Sequence, residues 1–155
     1  MLSDGDKAPD FSLPGSGGTA IKLSKLRGRQ VVVYFYPKDD TAGCTTEAKD
    51  FSCLIGDFQA AGCEVIGISP DSAASHDKFK AKHELTVQLA ADEEKTIVTA
   101  YGVWVEKSMY GKKYMGVERS TFLIDTRGKI AHVWRKVKVP GHAEEVLEAV
   151  KAARS

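Results

Sequence analysis

One segment limits the possible folds more than any other: Val31-Val32-Val33-Tyr34-Phe35-Tyr36, an unbroken apolar run closed by Pro37. β-Branched and aromatic side chains favour extended backbone, and a run without polar alternation suits a strand covered on both faces. Proline lacks the N–H that the next rung of a ladder would need, so the strand ends there. Such a strand demands packed layers above and below it.

The rest of the chain supplies those layers. Phe11 and Leu13, then Ala20, Ile21 and Leu23, flank Gly15-Ser16-Gly17-Gly18 and predict two short extended segments joined by a flexible turn. Over residues 45–61, Ala48, Phe51, Leu54 or Ile55, and Phe58 recur at helical spacing, and Gly62 ends that helix. Residues 63–68 read as a second buried strand. Asp71 or Ser72 can cap a helix running through Phe79 and Lys82. A strand over 85–89 and a helix over 93–101, ended by Gly102, follow. A strand over 121–124 turns at Asp125-Thr126-Arg127-Gly128 into residues 129–133, an antiparallel hairpin. After Pro140 and Gly141, the residues Ala143, Val146, Leu147 and Val150 share one face of a closing helix. This order calls for helices around a mixed sheet, an α/β domain over residues 1–155.

Charge and cysteine usage remove whole classes of function. Twenty-two Lys and Arg against 21 Asp and Glu give a formal net charge of +1, without the concentrated basic footprint of a nucleic-acid or membrane surface. The basic groups Lys107, Lys112 and Lys113, and Arg135, Lys136 and Lys138, read as solvated edges. Three cysteines do not make a secreted disulfide framework. The start Met1-Leu2-Ser3-Asp4-Gly5-Asp6 shows no export pattern, and no apolar run is long enough to cross a bilayer. These features lead to the expectation of a reducing, cytoplasmic setting.

Cys44 lies between the buried strand and the amphipathic helix, which places it in the first turn of that helix near the carboxyl end of the sheet. Unpaired backbone N–H groups and the positive helix terminus there favour a thiolate. If Thr41 is the N-cap, its hydroxyl can accept from the Cys44 N–H. Glu47, one turn on, can receive hydrogen bonds from backbone N–H groups or from an arginine. Cysteine also serves as a small buried hydrophobe, but Gly43, Thr45 and Thr46 are not apolar company. Cys53 neighbours the Phe51, Leu54 and Ile55 stripe, and Cys63 opens a buried strand and reads as core. Cysteine separations of nine and ten, and a His76 with no partner at ligand spacing, argue against a metal site. No serine elbow or phosphate loop is present.

The segment Val33-Tyr34-Phe35-Tyr36-Pro37-Lys38-Asp39-Asp40-Thr41-Ala42-Gly43-Cys44-Thr45-Thr46-Glu47 resembles the active-site segment of peroxiredoxins, within them the bacterioferritin-comigratory-protein (PrxQ) subfamily. The likeness continues through Val65-Ile66-Gly67-Ile68-Ser69, Ala90-Ala91-Asp92, Tyr101-Gly102-Val103-Trp104, Tyr110-Gly111-Lys112 and Arg119-Ser120-Thr121-Phe122-Leu123-Ile124-Asp125. It implies a thioredoxin-like fold with an added N-terminal hairpin. It also implies an antioxidant peroxidase acting on hydrogen peroxide and organic hydroperoxides, without metal, flavin or haem. Carried over, Cys44 is the peroxidatic nucleophile and the Thr41 hydroxyl helps hold the thiolate and the peroxide. Pro37 shapes and shields the pocket, and Arg119 steadies the thiolate and polarises the O–O bond. By itself Arg119 would read as a surface or ion-pairing arginine. Backbone N–H groups at Gly43 and Cys44 would add donors.

Two departures matter. The subfamily's resolving cysteine, five residues after the first, is Lys49 here, and a more distant alternative position falls near Lys80. The proline before Gly43 is replaced by Ala42. The expectation is therefore a one-cysteine cycle restored by a thioredoxin-like protein or a small thiol. The alternative is an atypical bridge from Cys44 to Cys53 or Cys63. A thiol–disulfide reductase lacks its Cys-x-x-Cys pair here, and a noncatalytic chaperone is a further rival. By resemblance the chain is expected to be a monomer.

Overall fold

A computed structural model describes residues 2–153; Met1, Arg154 and Ser155, included in the domain by the sequence reading, lie outside them. The central strand β3 (Gln30–Phe35) is buried along its whole length, as its composition demands. It pairs in parallel with β4 (Cys63–Ser69) and antiparallel with β8 (Ser120–Ile124). With β5 (Gln88–Ala91) and β9 (Ile130–Trp134) they form a five-stranded mixed sheet of order β5–β4–β3–β8–β9. A separate N-terminal hairpin joins β1 (Ser12–Pro14) to β2 (Ala20–Lys22).

Alternation along β3 builds two cores. Val32, Tyr34 and Tyr36 pack on one face against Phe51, Phe58, Phe79 and Val146. Val31, Val33 and Phe35 meet Phe11, Leu23, Val98 and Tyr101 on the other. The first core is roofed by α1 (Ala42–Cys53), α2 (Ile55–Ala60), α3 (Ala73–His83) and α5 (His142–Ala153). In α5, Ala143, Val146, Leu147 and Val150 are buried together, as their spacing predicts. Opposite Tyr34 in the β3–β4 register stands Gly67. A Cβ there would lie 2.6 Å from the Tyr34 hydroxyl and ring, so only glycine lets that ring lie flat across the sheet.

Four local expectations need correction. The helix read over 45–61 begins at Ala42 and breaks at Leu54, whose backbone (φ −97°, ψ 4°) leaves the helical range between α1 and α2. The strand read over 85–89 runs instead from Gln88 to Ala91. Leu85 and Val87 are buried, but the N–H groups of Thr86 and Val87 donate to the Ser52 hydroxyl rather than to a strand. The helix read over 93–101 shrinks to α4 (Thr96–Ala100), where the Asp92 carboxylate accepts from the N–H groups of Ile97 and Val98. Finally, β6 (Trp104–Met109) and β7 (Lys112–Val117) form a hairpin absent from the sequence reading. Its turn uses Tyr110 and Gly111 at positive φ (52° and 77°). Most of its residues are exposed, so the period-two apolar signal is missing.

Candidate active site

The end of β3 and the start of α1 are joined by residues 36–41, and this loop is fastened from the α3 side. Asp39 is buried. Its carboxylate accepts from the Tyr36 hydroxyl (2.6 Å) and the Ser75 hydroxyl (2.7 Å), and lies 2.7 Å from His76 Nδ1. His76 Nε2 stands 3.0 Å from the Ala90 carbonyl, and the Asp39 N–H donates to Asp71. Asp40, at φ 59°, is held by Lys82 (2.6 Å) and His83 (2.7 Å). Tyr36 belongs to the loop itself, but the Asp71, Ser75, His76, Lys82 and His83 partners of Asp39 and Asp40 lie 32 to 43 positions away in the chain, so the sequence does not show them.

The loop delivers Thr41 as the N-cap of α1, with extended backbone (φ −92°, ψ 157°). Its carbonyl accepts the first helical bond, from Thr45 N–H at 2.8 Å. The expected side-chain cap is not formed. The Thr41 hydroxyl donates to the Lys38 carbonyl (2.9 Å) and closes the loop on itself. Thr41 is exposed and Pro37, second after the strand, is half-buried.

Cys44 follows as the third residue of the helix, 2% exposed. The N–H groups of Gly43 and Cys44 belong to the first turn and have no acceptor within the helix. Arg119, between β7 and β8, reaches across to this turn. Its Nη2 donates to Cys44 Sγ at 3.1 Å and its Nη1 to Glu47 Oε1 at 2.6 Å. The Arg119 backbone is anchored by the Val137 N–H on its carbonyl and by the neighbouring Glu118–Val103 bond. Gly43 makes room for the guanidinium: a Cβ there would sit 3.3 Å from Nη2.

The electrostatics of this cluster are uneven. Glu47 is 1% exposed, and burial pushes its carboxyl up to about 7, although Arg119 pulls the other way. Its second oxygen, Oε2, is buried without a hydrogen-bond partner, as is the Tyr34 hydroxyl. His142 donates to or accepts from Thr121 at 2.8 Å, and burial brings it down to about 4. A sulfur nucleophile, a fixed cation and unpaired helix N–H groups meet here, which suits an attack that drives negative charge onto a second atom nearby.

The other cysteines are placed differently. Cys53 is exposed at the far end of α1. Nine helical residues from Cys44 correspond to about 13 Å, against the roughly 7 Å that a disulfide tolerates. Cys63 opens β4 opposite Gln30, at the end of the sheet remote from Cys44, and burial pushes its thiol up to about 12. Lys49 is exposed and Lys80 half-buried on α3. Among the described residues, no cluster of three His, Cys, Asp or Glu side chains can hold a metal ion.

A model of the AhpC/TSA family matches residues 5–133. Peroxiredoxin Bcp of Bacillus subtilis is 50% identical over 147 residues, covering 95% of this chain and 94% of that protein. Among solved structures, peroxiredoxin Q of Xanthomonas campestris superimposes with a TM-score of 0.90 at 47% identity, covering 94% and 92% of the two chains. A mutant PrxQ of Xylella fastidiosa reaches 0.95 at 42% identity over 100% and 99%. X. campestris bacterioferritin comigratory protein, described for its alkyl peroxide reduction activity, gives 0.89 at 46% identity over 94% and 92%. The thioredoxin-like fold with its N-terminal hairpin is common to them.

Proposed function

The chain belongs to the AhpC/TSA family, in its Bcp/PrxQ peroxiredoxin branch, and from that premise we propose that Cys44 is the peroxide-attacking group of a one-cysteine cycle. Membership makes it a thiol peroxidase. The observation that carries the finer reading is the Arg119 guanidinium bonded to Cys44 Sγ. The thiolate attacks one peroxide oxygen, the S–O bond forms as the O–O bond breaks, and the departing oxygen leaves as alkoxide or hydroxide before taking a proton. Arg119 and the N–H groups of Gly43 and Cys44 face the charge that develops on that oxygen. The Thr41 hydroxyl donates to Lys38, so its lone pairs remain to accept from the peroxide O–H. Pro37 walls the loop side.

Cys44 is left as a sulfenic acid. An external thiol condenses with it to a mixed disulfide and water, and a second thiol releases Cys44 and the oxidised reductant. A thioredoxin-like protein or a small thiol fits this role. The distance of Cys53 from Cys44 and the remote burial of Cys63 favour this route over an internal bridge. Alkyl hydroperoxides are proposed as substrates beside hydrogen peroxide, by likeness to the X. campestris protein. The test measures peroxide consumption with a thiol reductant, then peptide mapping after one equivalent of peroxide. Cys44→Ser is expected to abolish turnover, and the wild type to show Cys44 sulfenic acid. Undiminished consumption by Cys44→Ser would overturn the nucleophile, and a mapped Cys44–Cys53 or Cys44–Cys63 link would overturn the one-cysteine cycle.

A further inference from the structure

One half-buried cation serves two acids in this site. Arg119 binds Cys44 Sγ through Nη2 and Glu47 Oε1 through Nη1. With both acids ionised, two anions would divide a single guanidinium. Glu47 Oε2 would then be a charged oxygen in an apolar setting with no donor to meet it, a far greater penalty than a neutral hydroxyl in the same place. We propose that Glu47 is a positioning residue that keeps a proton on Oε2 while Cys44 is a thiolate, leaving the charge of Arg119 to the sulfur and the departing oxygen. This rests on the peroxidase reading above and adds a proton switch to it.

The neighbours from each packed element support the assignment. Asp50, on the same helix, adds to the rise that burial imposes on Glu47, bringing it to about 7. Tyr34 of β3 is pushed well above its ordinary range and keeps its proton. His142 of α5, which faces Arg119, is pushed down to about 4 and is neutral near pH 7. Lys107 of β6 faces both Arg119 and Cys44 and adds a second, partly desolvated cation. Glu47 is thus the carboxyl in this cluster poised to exchange its proton near neutrality. When it does, Arg119 is drawn to the carboxylate and the transition state loses part of its support.

The rate constant of the full chain with hydrogen peroxide should therefore fall several-fold on the alkaline side of neutrality, and Glu47→Gln should flatten that fall. Glutamine keeps an oxygen for Arg119 but cannot ionise. Infrared difference spectroscopy from pH 5 to 9 gives an independent readout. A protonated-carboxyl band should disappear near pH 7 in the wild type and be absent in Glu47→Gln. In Cys44→Ser it should vanish at lower pH, because removing one acid eases ionisation of the other. An unchanged alkaline fall in Glu47→Gln, or no carboxyl band assignable to Glu47, overturns the proposal. A chain that consumes no peroxide at any pH sinks the peroxidase reading instead, while the infrared titration still judges Glu47.

Discussion

Two buried polar clusters flank the loop between β3 and α1, and they are finished to different degrees. In the Asp39–His76 cluster every polar atom has a partner: Tyr36, Ser75 and His76 surround the carboxylate, and the Ala90 carbonyl meets the far ring nitrogen. In the Cys44–Arg119–Glu47 cluster the Glu47 Oε2 atom has none, and the sulfur is met by one side-chain donor. A saturated buried network fixes a loop, since any motion breaks several bonds at once. An unsaturated one keeps donors and charge in hand for a visitor. The first cluster therefore answers to stability and the second to rate.

Mutations can break that division of labour, or sharpen it. Asp39→Ala strips a partner from buried Tyr36 and His76 and from half-buried Ser75, and should lower unfolding stability by about 3–5 kcal/mol, measured by chemical denaturation. Arg119→Ala should leave the fold in place and lower the peroxide rate constant by about 100- to 1,000-fold, read by stopped flow. If Arg119→Ala destabilised the chain as much as Asp39→Ala, the contrast between the clusters would collapse.

The third test is a pH series. Folded Glu47 holds its proton up to about 7, against an ordinary 4.5. Its unfolded counterpart releases the proton first as pH rises through that window, so its contribution to stability is present below about 4.5 and lost by 7. The loss amounts to up to about 3 kcal/mol. His142 has the opposite sign, because its folded form resists protonation down to about 4 and stability declines as pH falls from 6.5. The wild type should show a shallow profile where the two oppose, and Glu47→Gln should expose the acid-side decline of His142 alone.

The smallest expected effect concerns Ala42, the first residue of α1. Its N–H has no helical acceptor, and Thr41 before it is extended, so both positions suit Ala42→Pro. The variant should gain about 0.4–1 kcal/mol in denaturation and keep its peroxide rate. A large loss of rate would mean that the loop must flex at Ala42 during turnover.

Much of this molecule was legible from local chemistry. The run ending in Pro37, the helical stripe of Ala48, Phe51 and Phe58, and the face shared by Ala143, Val146, Leu147 and Val150 each declare themselves within a few turns or rungs. They place Cys44 in a first helical turn before any contact is known. The hairpin of β6 and β7 escaped because its exposed residues lack apolar alternation, and the break at Leu54 because apolar spacing continues straight across it.

What only the tertiary structure decided is the company each polar group keeps. Arg119 meets Cys44 across 75 positions of chain, and His76 meets Asp39 across 37. Likeness to a family pointed to Arg119; nothing pointed to the orphaned oxygen of Glu47 or to the Thr41 hydroxyl turning away to Lys38. Periodicity records which face of an element is buried, because burial repeats along it. A hydrogen bond between distant side chains repeats nowhere, and exists only once the sheet has brought β3 and β8 side by side.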